Sequence, residues 1–422
     1  MQTHWLVTKL KIGILSYRSA PFGGGQGIYV RDISQALASL GHTVDVISGE
    51  PYPELYSGVR LIKLPGMNLF ETFSFKDRLK KFVTNPINLI NIQEFVSTLF
   101  GGFPEMRSFG NRVDSFLEAN NHYDVIIDNQ SLSYGMLAIQ KRFPFIEIIH
   151  HPITMDLKHD LEANRKFLYW LSRKRWYSFL KMQKRVAPKI NSIITPSINS
   201  LRDISKDFNC DPSRITVIQN GLDIDIFRPY NEISRNPLRL ITTASADVPL
   251  KGLDYSLKSL AELKKDFDGI HLIVIGKLKE DGHTARLIKK LNIQDEVTFK
   301  TNLTKDEIAK EYAKSSISLV SSLYEGFGYP VIEAMSCGVP LIAANTSSIP
   351  ELVDEFAILI PAQDSKTQID SIKSVIQNYG HYKDIAEKGR EHIINTFNWL
   401  KITEEYEKTI FKTIEDFKNA NI

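Results

Sequence analysis

The sequence predicts an α/β protein of two domains, each built around a doubly wound parallel sheet. The chain has 422 residues, more than one hydrophobic core ordinarily organises, since cores stop growing near about 250 to 300 residues. Short apolar runs rich in β-branched residues alternate with amphipathic helical stretches along most of the chain. Strands that are apolar on both faces and alternate with helices indicate parallel sheets covered by helices.

The strand-like runs fall into two groups. The first half of the chain contains runs at 10–17, 43–49, 59–65, 123–130, 145–151, 191–197 and 215–221. The second half contains runs at 238–245, 270–276, 296–301, 316–322, 340–345 and 357–362. In such sheets ligands bind beyond the carboxyl ends of the strands, so we expect two Rossmann-like domains that face a common cleft.

A polar stretch with two prolines, at about 225–237, predicts the linker between the domains. We therefore expect an N-terminal domain at 1–228 and a C-terminal domain at 229–402. The amphipathic tail predicts a long helix, and we expect its residues 403–422 to pack back on the first domain.

Composition restricts the possible classes. The two cysteines, Cys210 and Cys337, are too few for a disulfide framework or a cysteine metal site, so a reducing compartment fits and no metal is expected. No stretch approaches about 18 uninterrupted apolar residues, and the N-terminus lacks the pattern of a signal peptide. We therefore expect a cytoplasmic protein.

A glycine-rich segment, PFGGGQGIYV, follows the first predicted strand and leads into a helix. Gly24 and Gly25 would let backbone amides approach an anion, and the helix N-terminus would favour its negative charge. The segment matches neither the dinucleotide-binding fingerprint nor a P-loop. The alternative is a flexible turn between strand and helix.

Two histidines, His150 and His151, follow another predicted strand at its carboxyl end. A histidine there can hydrogen-bond to a substrate hydroxyl or carry a proton, although a structural histidine is the commoner case. We predict His151 as the functional one, because it lies nearer the ligand-binding edge. Lys251, before Gly252 and a helix, could pair with a diphosphate, and the alternative is a solvated surface lysine.

The most informative segment is YEGFGYPVIEAMSCGVP, residues 324–340. Gly326 and Gly328 would let the backbone approach a ligand on either side of Phe327, and Pro330 suits the first turn of a helix. Glu333, expected in that first turn, can grip a ribose diol, and Glu325 can reach the hydroxyls of an attached sugar. The helix dipole alone could explain Glu333, but the combination with the glycines and Glu325 indicates a site for a nucleotide-sugar.

Four segments together resemble the retaining glycosyltransferases of family 4, which have the GT-B fold. They are GGGQGIYV…LASLGHTVDVIS, QNGLDIDIFRP, SLYEGFGYPVIEAMSCGVPLIA with its two glutamates eight positions apart, and IPELV. Their order and spacing agree with the family over nearly the whole chain. The resemblance implies transfer of a sugar, of hexosyltransferase type, from a nucleotide-diphosphate donor with retention at the anomeric carbon. It implies no cofactor and no obligatory metal.

The resemblance also implies roles for individual residues. Glu325 would lie near the donor sugar, Glu333 at the ribose, and Gly25 at the diphosphate. His151 would help to hold the donor sugar, and Lys251 would be the lysine of the diphosphate-binding pair. Base contacts are expected from the main chain near Phe299 and Thr301.

Two departures from the family pattern stand out. The arginine that usually precedes the lysine by five or six residues is missing, and Ser245 and Ala246 occupy those places. Lys277 or a basic residue of the N-terminal domain could replace its charge. The segment SSIPE carries two serines where many relatives have two glycines, which would reshape the loop near the diphosphate.

Charge is distributed unevenly. Residues 1–220 carry a net charge of +8 and residues 221–422 one of −5. Residues 158–190 combine ten basic residues with interleaved aromatics, and 75–103 would add an apolar lip. The pattern fits peripheral contact with an anionic membrane, for instance at its inner face, or a solvated helix with its aromatics in the core. No nucleic-acid-binding signature accompanies it, which argues against nucleic acid.

The sequence therefore predicts a glycosyltransferase that acts on a glycan or lipid-linked acceptor, as in the assembly of glycans, lipopolysaccharide or glycolipids. Two alternatives stay open at this point. One is another GT-B enzyme, of the phosphorylase or epimerase type. The other is a non-catalytic relative that binds a sugar nucleotide or a partner protein, and the missing arginine keeps this alternative open.

Overall fold

The computed structural model describes residues 9–20, 25–69, 72, 74–163 and 166–420. Each of the thirteen predicted strands corresponds to an observed strand. Seven of them form the first sheet: β1 (Lys11–Ser16), β2 (Thr43–Ser48), β3 (Arg60–Lys63), β4 (Val125–Asn129), β5 (Phe145–Ile148), β6 (Ile193–Thr195) and β7 (Ile215–Val217). Six form the second: β8 (Asn236–Thr243), β9 (His271–Ile275), β10 (Val297–Lys300), β11 (Ser315–Val320), β12 (Leu341–Ala344) and β13 (Ile358–Ile360).

Helices connect these strands. In the first part of the chain they are α1 (Gly25–Ser39), α2 (Phe75–Thr84), α3 (Leu89–Leu99), α4 (Glu105–Ala119), α5 (Tyr134–Ile139), α6 (Thr154–Ala163), α7 (Phe167–Trp176), α8 (Leu180–Val186) and α9 (Ile198–Phe208). They continue with α10 (Leu253–Leu263), α11 (His283–Leu291), α12 (Lys305–Lys314), α13 (Tyr329–Ser336), α14 (Pro350–Val353), α15 (Ser365–Gln377), α16 (Tyr379–Thr396) and α17 (Trp399–Ala420).

Both sheets are parallel and doubly wound, as predicted. The first has the order β3-β2-β1-β4-β5-β6-β7 and the second the order β10-β9-β8-β11-β12-β13. The strand order reverses between β1 and β4 in the first sheet and between β8 and β11 in the second. At such a switch point the loops beyond the strand ends diverge and leave a crevice for ligands.

The chain divides into two compact units. The first comprises the described residues of Met1–Pro196, Ser200–Ile218 and Ile402–Ile422, and the second comprises Ser197–Asn199 and Gln219–Lys401. The helix α17 therefore contributes most of its length to the first unit. There the hydroxyl of Tyr406 lies 2.5 Å from that of Tyr29, and Nε2 of His42 lies 3.1 Å from Oε1 of Glu407.

Each sheet is buried between apolar helix faces. In the first unit Leu15 and Ile126 of the central strands pack in one cluster with Val113 of α4. In the second, Leu257 of α10 packs with strand residues on one side, and Ile332 of α13 belongs to a separate apolar cluster. Among the described residues, no helix is both long enough and apolar enough to cross a membrane.

Candidate active site

Lys251 and Glu325 form a hydrogen-bonded ion pair in the second unit. Nζ of Lys251 donates to Oε1 of Glu325 over 2.7 Å, and 28% of the lysine side chain is exposed against 9% of the glutamate. Lys251 follows β8 and Glu325 follows β11, the neighbouring strands at which the sheet order reverses. The pair therefore lies at the edge where doubly wound sheets bind ligands.

Gly252 brings Lys251 to this position. The glycine has a φ of +61° and follows a short 3₁₀ turn, Pro249–Lys251. A Cβ atom at Gly252 would lie 1.9 Å from the carbonyl oxygen of Ser321, so only glycine allows the turn to pack this closely on the end of β11. The backbone N–H of Leu323 donates to the carbonyl of Leu250 over 2.7 Å and holds the two loops together.

Three serines hold Glu325. Ser322 donates its hydroxyl to Oε1 over 2.7 Å, the same oxygen that accepts from Lys251. The backbone N–H of Glu325 donates to Oγ of Ser347 over 2.8 Å, and Ser348 donates to the carbonyl of Glu325 over 2.9 Å. Both side-chain bonds end on Oε1, so Oε2 is the oxygen that can accept from a ligand hydroxyl.

Ser347 and Ser348 are the two serines of the SSIPE segment, which sequence reasoning treated only as a departure. The structure shows that their hydroxyls make hydrogen bonds that glycines could not make. Ser347 has a φ of +48°, a left-handed conformation that favours glycine. A glycine, which the resemblance implies here, would adopt this conformation easily. In this chain Ser347 adopts it, and its side chain supports Glu325.

Glu333 lies deeper in its helix than the sequence suggested. The helix α13 begins at Tyr329, one residue before Pro330, so Glu333 is its fifth residue and the expected first-turn position was wrong. The buried hydroxyl of Tyr312 donates to Oε2 of Glu333 over 3.3 Å. Burial raises the pKa of Glu333 to about 7, against the opposing effects of the Lys305 charge and the Tyr312 hydrogen bond.

The segment Gly326–Phe327–Gly328, just before α13, has a glycine position with a special backbone requirement and a phenylalanine that packs in the core. Gly328 precedes the helix with a φ of +117°, and a Cβ atom there would lie 3.1 Å from Leu352. Phe327 is 5% exposed and packs edge-on against Phe397, with ring centroids 6.0 Å apart. Only its backbone is therefore suited to the predicted donor contact. Gly326 is partly buried between Glu325 and Phe327.

The two positions predicted to contact the base lie on one strand and just beyond it. Phe299 belongs to β10 and packs against the core of the second unit, while Thr301 is exposed directly after the strand. These residues stay predictions. At the places of the missing arginine, Ser245 is exposed and Ala246 is buried, and Lys277 is exposed after β9.

In the first unit the two histidines differ in environment. The ring of His150 lies edge-on to Tyr29 at 4.6 Å, and its Nε2 hydrogen-bonds to Oδ1 of Asn129 over 2.8 Å. Burial, with a smaller effect of His151, lowers the pKa of His150 to about 3, so this imidazole is neutral. His151 has 26% of its side chain exposed, and its Nε2 lies 2.8 Å from Oδ2 of Asp156.

Gln130 ties this pair of histidines to the end of β4. Its side-chain oxygen accepts from the backbone N–H of His150 over 2.9 Å, and its amide donates to the carbonyl of His151 over 2.9 Å. Gln130 has a φ of +59°, so the chain turns sharply at the strand end. The sequence reasoning did not single out Gln130.

Of the two glycines predicted at the diphosphate, Gly24 lies outside the described residues. Gly25 is the first residue of α1, and a Cβ atom there would meet nothing within 4 Å. Gly27, which was not among the predicted residues, is the position that requires glycine, because a Cβ atom there would lie 2.2 Å from the carbonyl oxygen of Ala20. In the part of the chain that the structure describes, no group of three His, Cys, Asp or Glu residues could hold a metal ion.

Comparisons with known proteins place the chain in a family. Residues 23–226 match the model of Glycosyltransferase Family 4, and residues 230–392 match that of Glycosyl transferases group 1. The chain is 37% identical over 413 residues to an MMP α-(1→4)-mannosyltransferase of Mycolicibacterium hassiacum, covering 95% of this chain and 98% of the relative. The chain therefore belongs to the family 4 glycosyltransferases of GT-B type, and it is a glycosyltransferase.

More distant relatives agree with this assignment. A D-inositol 3-phosphate glycosyltransferase of Catenulispora acidiphila is 23% identical, with 97% of this chain and 96% of the relative covered. Among solved structures, a sucrose-phosphate synthase of Thermosynechococcus elongatus matches with a TM-score of 0.72 at 18% identity, covering 97% of this chain and all of that one. An Anabaena protein solved with UDP and glucose matches with a TM-score of 0.69 at 17% identity, with coverages of 95% and 99%. These structures share the fold.

Proposed function

We propose that the protein is a retaining mannosyltransferase that moves mannose from a nucleoside-diphosphate donor to a hydroxyl of a saccharide acceptor. The observation that carries the proposal is the near full-length similarity to an α-(1→4)-mannosyltransferase. The ion pair of Lys251 and Glu325 at the switch point supports it, because it combines a cation for a diphosphate with a carboxylate for sugar hydroxyls.

In the proposed reaction the bond between the anomeric carbon and the diphosphate oxygen breaks, and its electron pair leaves with the nucleoside diphosphate. The acceptor oxygen bonds to the anomeric carbon on the same face, and its proton passes to the departing phosphate oxygen. Lys251 stabilises the charge that develops on the diphosphate, and Oε2 of Glu325 accepts from the mannose hydroxyls. The predicted contact of His151 to the donor sugar belongs to the same proposal.

Purified protein should be incubated with mannose and glucose linked to different nucleoside diphosphates, and release of the free nucleoside diphosphate followed. We expect release from a mannose donor, and loss of this release in Glu325→Ala. Addition of manno-oligosaccharide acceptors should yield an α-linked product by NMR. Release from a glucose donor alone would contradict the mannose assignment, and a β-linked product would contradict retention.

We further expect that donor affinity depends on the ionisation of Glu333. The carboxylate can accept from both hydroxyls of a ribose, whereas the protonated acid cannot, and the pKa of Glu333 is about 7. Donor binding should therefore strengthen as the pH rises through that value, about tenfold between pH 6 and pH 8, in proportion to the ionised fraction. The measurement is calorimetric binding of nucleoside-diphosphate mannose, whose own charge is constant over this range.

Glu333→Gln is the control for this prediction. It should bind the donor more weakly than the wild type at pH 8 and show almost no change between pH 6 and pH 8. A wild-type affinity that stays constant over the same interval would contradict the role of Glu333 at the ribose.

We also propose that the first unit contacts an anionic membrane surface. We define a basic-apolar surface by α2, α3, α7 and the residues that flank α3. Its exposed large apolar side chains are Phe75, Leu79, Val83, Ile87, Leu89, Ile92, Val96, Leu99, Phe100, Phe167, Leu168 and Trp170. Not one residue of α2 is buried. The end of α3 meets α7, since a Cβ atom at Gly101 would lie 3.9 Å from the side chain of Arg175.

Basic residues accompany these apolar side chains. Lys76, Lys80 and Lys81 lie on α2, and the last turn of α7 contains three consecutive basic residues, Arg173 to Arg175. An anionic bilayer supplies both an apolar phase and a negative surface charge. We expect the protein to float with vesicles that contain phosphatidylserine, and the double variant Phe100→Ser with Leu168→Ser to stay in the aqueous fraction. Equal flotation of both proteins, or none of the wild type, would contradict the proposal.

A further inference from the structure

The first unit contains a cavity of about 230 Å³ that belongs to no site described above. Its walls come from α3, from the segments that begin α4 and α5, and from the segment around the start of α8, with the residues Ile90, Gln93, Glu94, Ser97, Phe103, Pro104, Arg107, Ser108, Tyr134, Ser178, Phe179, Lys181 and Met182. In a parallel sheet, a helix between two strands starts at their carboxyl edge. The cavity therefore opens at the ligand-binding edge of the first sheet.

The lining of the cavity suits a sugar. Phe103, Phe179 and Tyr134 offer aromatic surface to the apolar face of a ring, and the guanidinium of Arg107 lies over the Tyr134 ring at 5.9 Å. Glu94 is a fully buried carboxylate that faces the cavity and is paired with Arg112. Polar side chains of Gln93, Arg107 and Lys181 line the cavity beside this aromatic surface, a combination that fits the hydroxyls and the apolar ring face of a saccharide.

The cavity lies a short distance from the two histidines. Tyr134 follows Gln130 by four residues, and Gln130 hydrogen-bonds to the backbone of His150 and His151. Four residues of chain span at most about 14 Å. One saccharide chain can therefore reach from the cavity to the histidines. The cavity is below the range of about 300 to 1,000 Å³ typical of whole small-molecule ligands, so it suits part of a longer molecule.

We propose that this cavity is a remote subsite that binds a sugar unit of the acceptor, away from the unit that receives the mannose, and so selects acceptors by length. The inference rests on the proposed mannosyltransferase function for the identity of the sugar. It requires that affinity for α-(1→4)-linked manno-oligosaccharides rises when the chain becomes long enough to enter the cavity.

The test measures binding of the mono- to tetrasaccharide by calorimetry, without a donor. We expect the tetrasaccharide to bind the wild type at least about tenfold more tightly than the disaccharide, as about 1.4 kcal/mol of added contacts would give. Gln93→Trp, a substitution of an exposed residue that fills the cavity from its rim, should abolish this gain. Arg107→Ala, also exposed, should reduce it.

Val96→Trp is the matched control, because Val96 is exposed on the same helix but does not line the cavity. It should keep the full gain. Equal affinity for all chain lengths, or a gain that persists in Gln93→Trp, would overturn the subsite. Donor hydrolysis without acceptor, measured in the same variants, should be unchanged. If the wild type hydrolysed no donor, the proposed function would be refuted. The saccharide-binding measurements would still test the subsite.

Discussion

Replacing Lys251 with alanine is expected to lower the kcat of sugar transfer about 100- to 1,000-fold, the usual effect of removing one preorganised group that stabilises developing charge. Ser245 and Ala246 stand at the places where the family resemblance implies an arginine, so Lys251 lacks that partner. The measurement is the steady-state rate of nucleoside diphosphate release with saturating mannose donor. Thermal unfolding of the variant should be recorded as well, because Glu325 loses its ion-pair partner.

The matched control is Lys277→Ala, since Lys277 is the other lysine considered for the diphosphate and is exposed after β9. Its rate should stay close to that of the wild type. A large loss in Lys277→Ala with little change in Lys251→Ala would assign the diphosphate to Lys277. Adding Ser245→Arg to the Lys251→Ala variant should restore part of the rate, because it places a cation at an exposed position where the resemblance implies an arginine.

The fold was predictable because its signal is strong at the level of single segments. The central strands are short apolar runs rich in β-branched residues, such as Ile12 to Leu15, and turn residues or an amphipathic helix separate each strand from the next. The ends of the strands were harder to predict. The run 145–151 was read as one strand, whereas β5 ends at Ile148 and the following residues turn toward Gln130. Residue type does not show where a strand leaves the sheet.

The start of α13, the helix that contains Glu333, was also difficult to predict from residue type. Proline is commonest at the first helical position, which the sequence analysis assumed, but α13 begins one residue earlier, at Tyr329. The resulting shift of one residue moves Glu333 out of the first turn. A helix N-terminus would lower the pKa of a carboxyl group, whereas burial raises the pKa of Glu333 against the opposing effect of the Tyr312 hydrogen bond.

Contacts between distant segments were not predictable from the sequence. Lys251 and Glu325 were each singled out, but their ion pair depends on Gly252 packing against Ser321, which no local pattern records. The contribution of Ser347 and Ser348 was missed for the same reason, because a serine shows its hydrogen-bond partner only after folding. The serines of SSIPE, at places where the resemblance implies glycines, were the signal that could have found it, and Ser347 does have a left-handed backbone.

The pairing of Lys251 with Glu325 leads to a prediction with two opposite effects. In the structure Glu325 neutralises part of the charge that Lys251 would offer to a diphosphate. Glu325→Gln should lower kcat about 100-fold, because it removes a charged hydrogen-bond acceptor for the mannose hydroxyls in the transition state. The same variant should bind the free nucleoside diphosphate roughly three- to tenfold more tightly, as expected when a competing ion pair worth about 1 kcal/mol is removed.

Calorimetry of the nucleoside diphosphate and steady-state kinetics on the same preparation would measure both effects. Ser322→Ala is the informative companion, since it removes the second donor to Oε1 of Glu325 but leaves both charges in place. It should lower kcat less than Glu325→Gln does and leave the affinity for the nucleoside diphosphate unchanged. If Glu325→Gln weakened that affinity instead, the carboxylate and the diphosphate would not compete for Lys251. The cation for the leaving group would then have to be another residue.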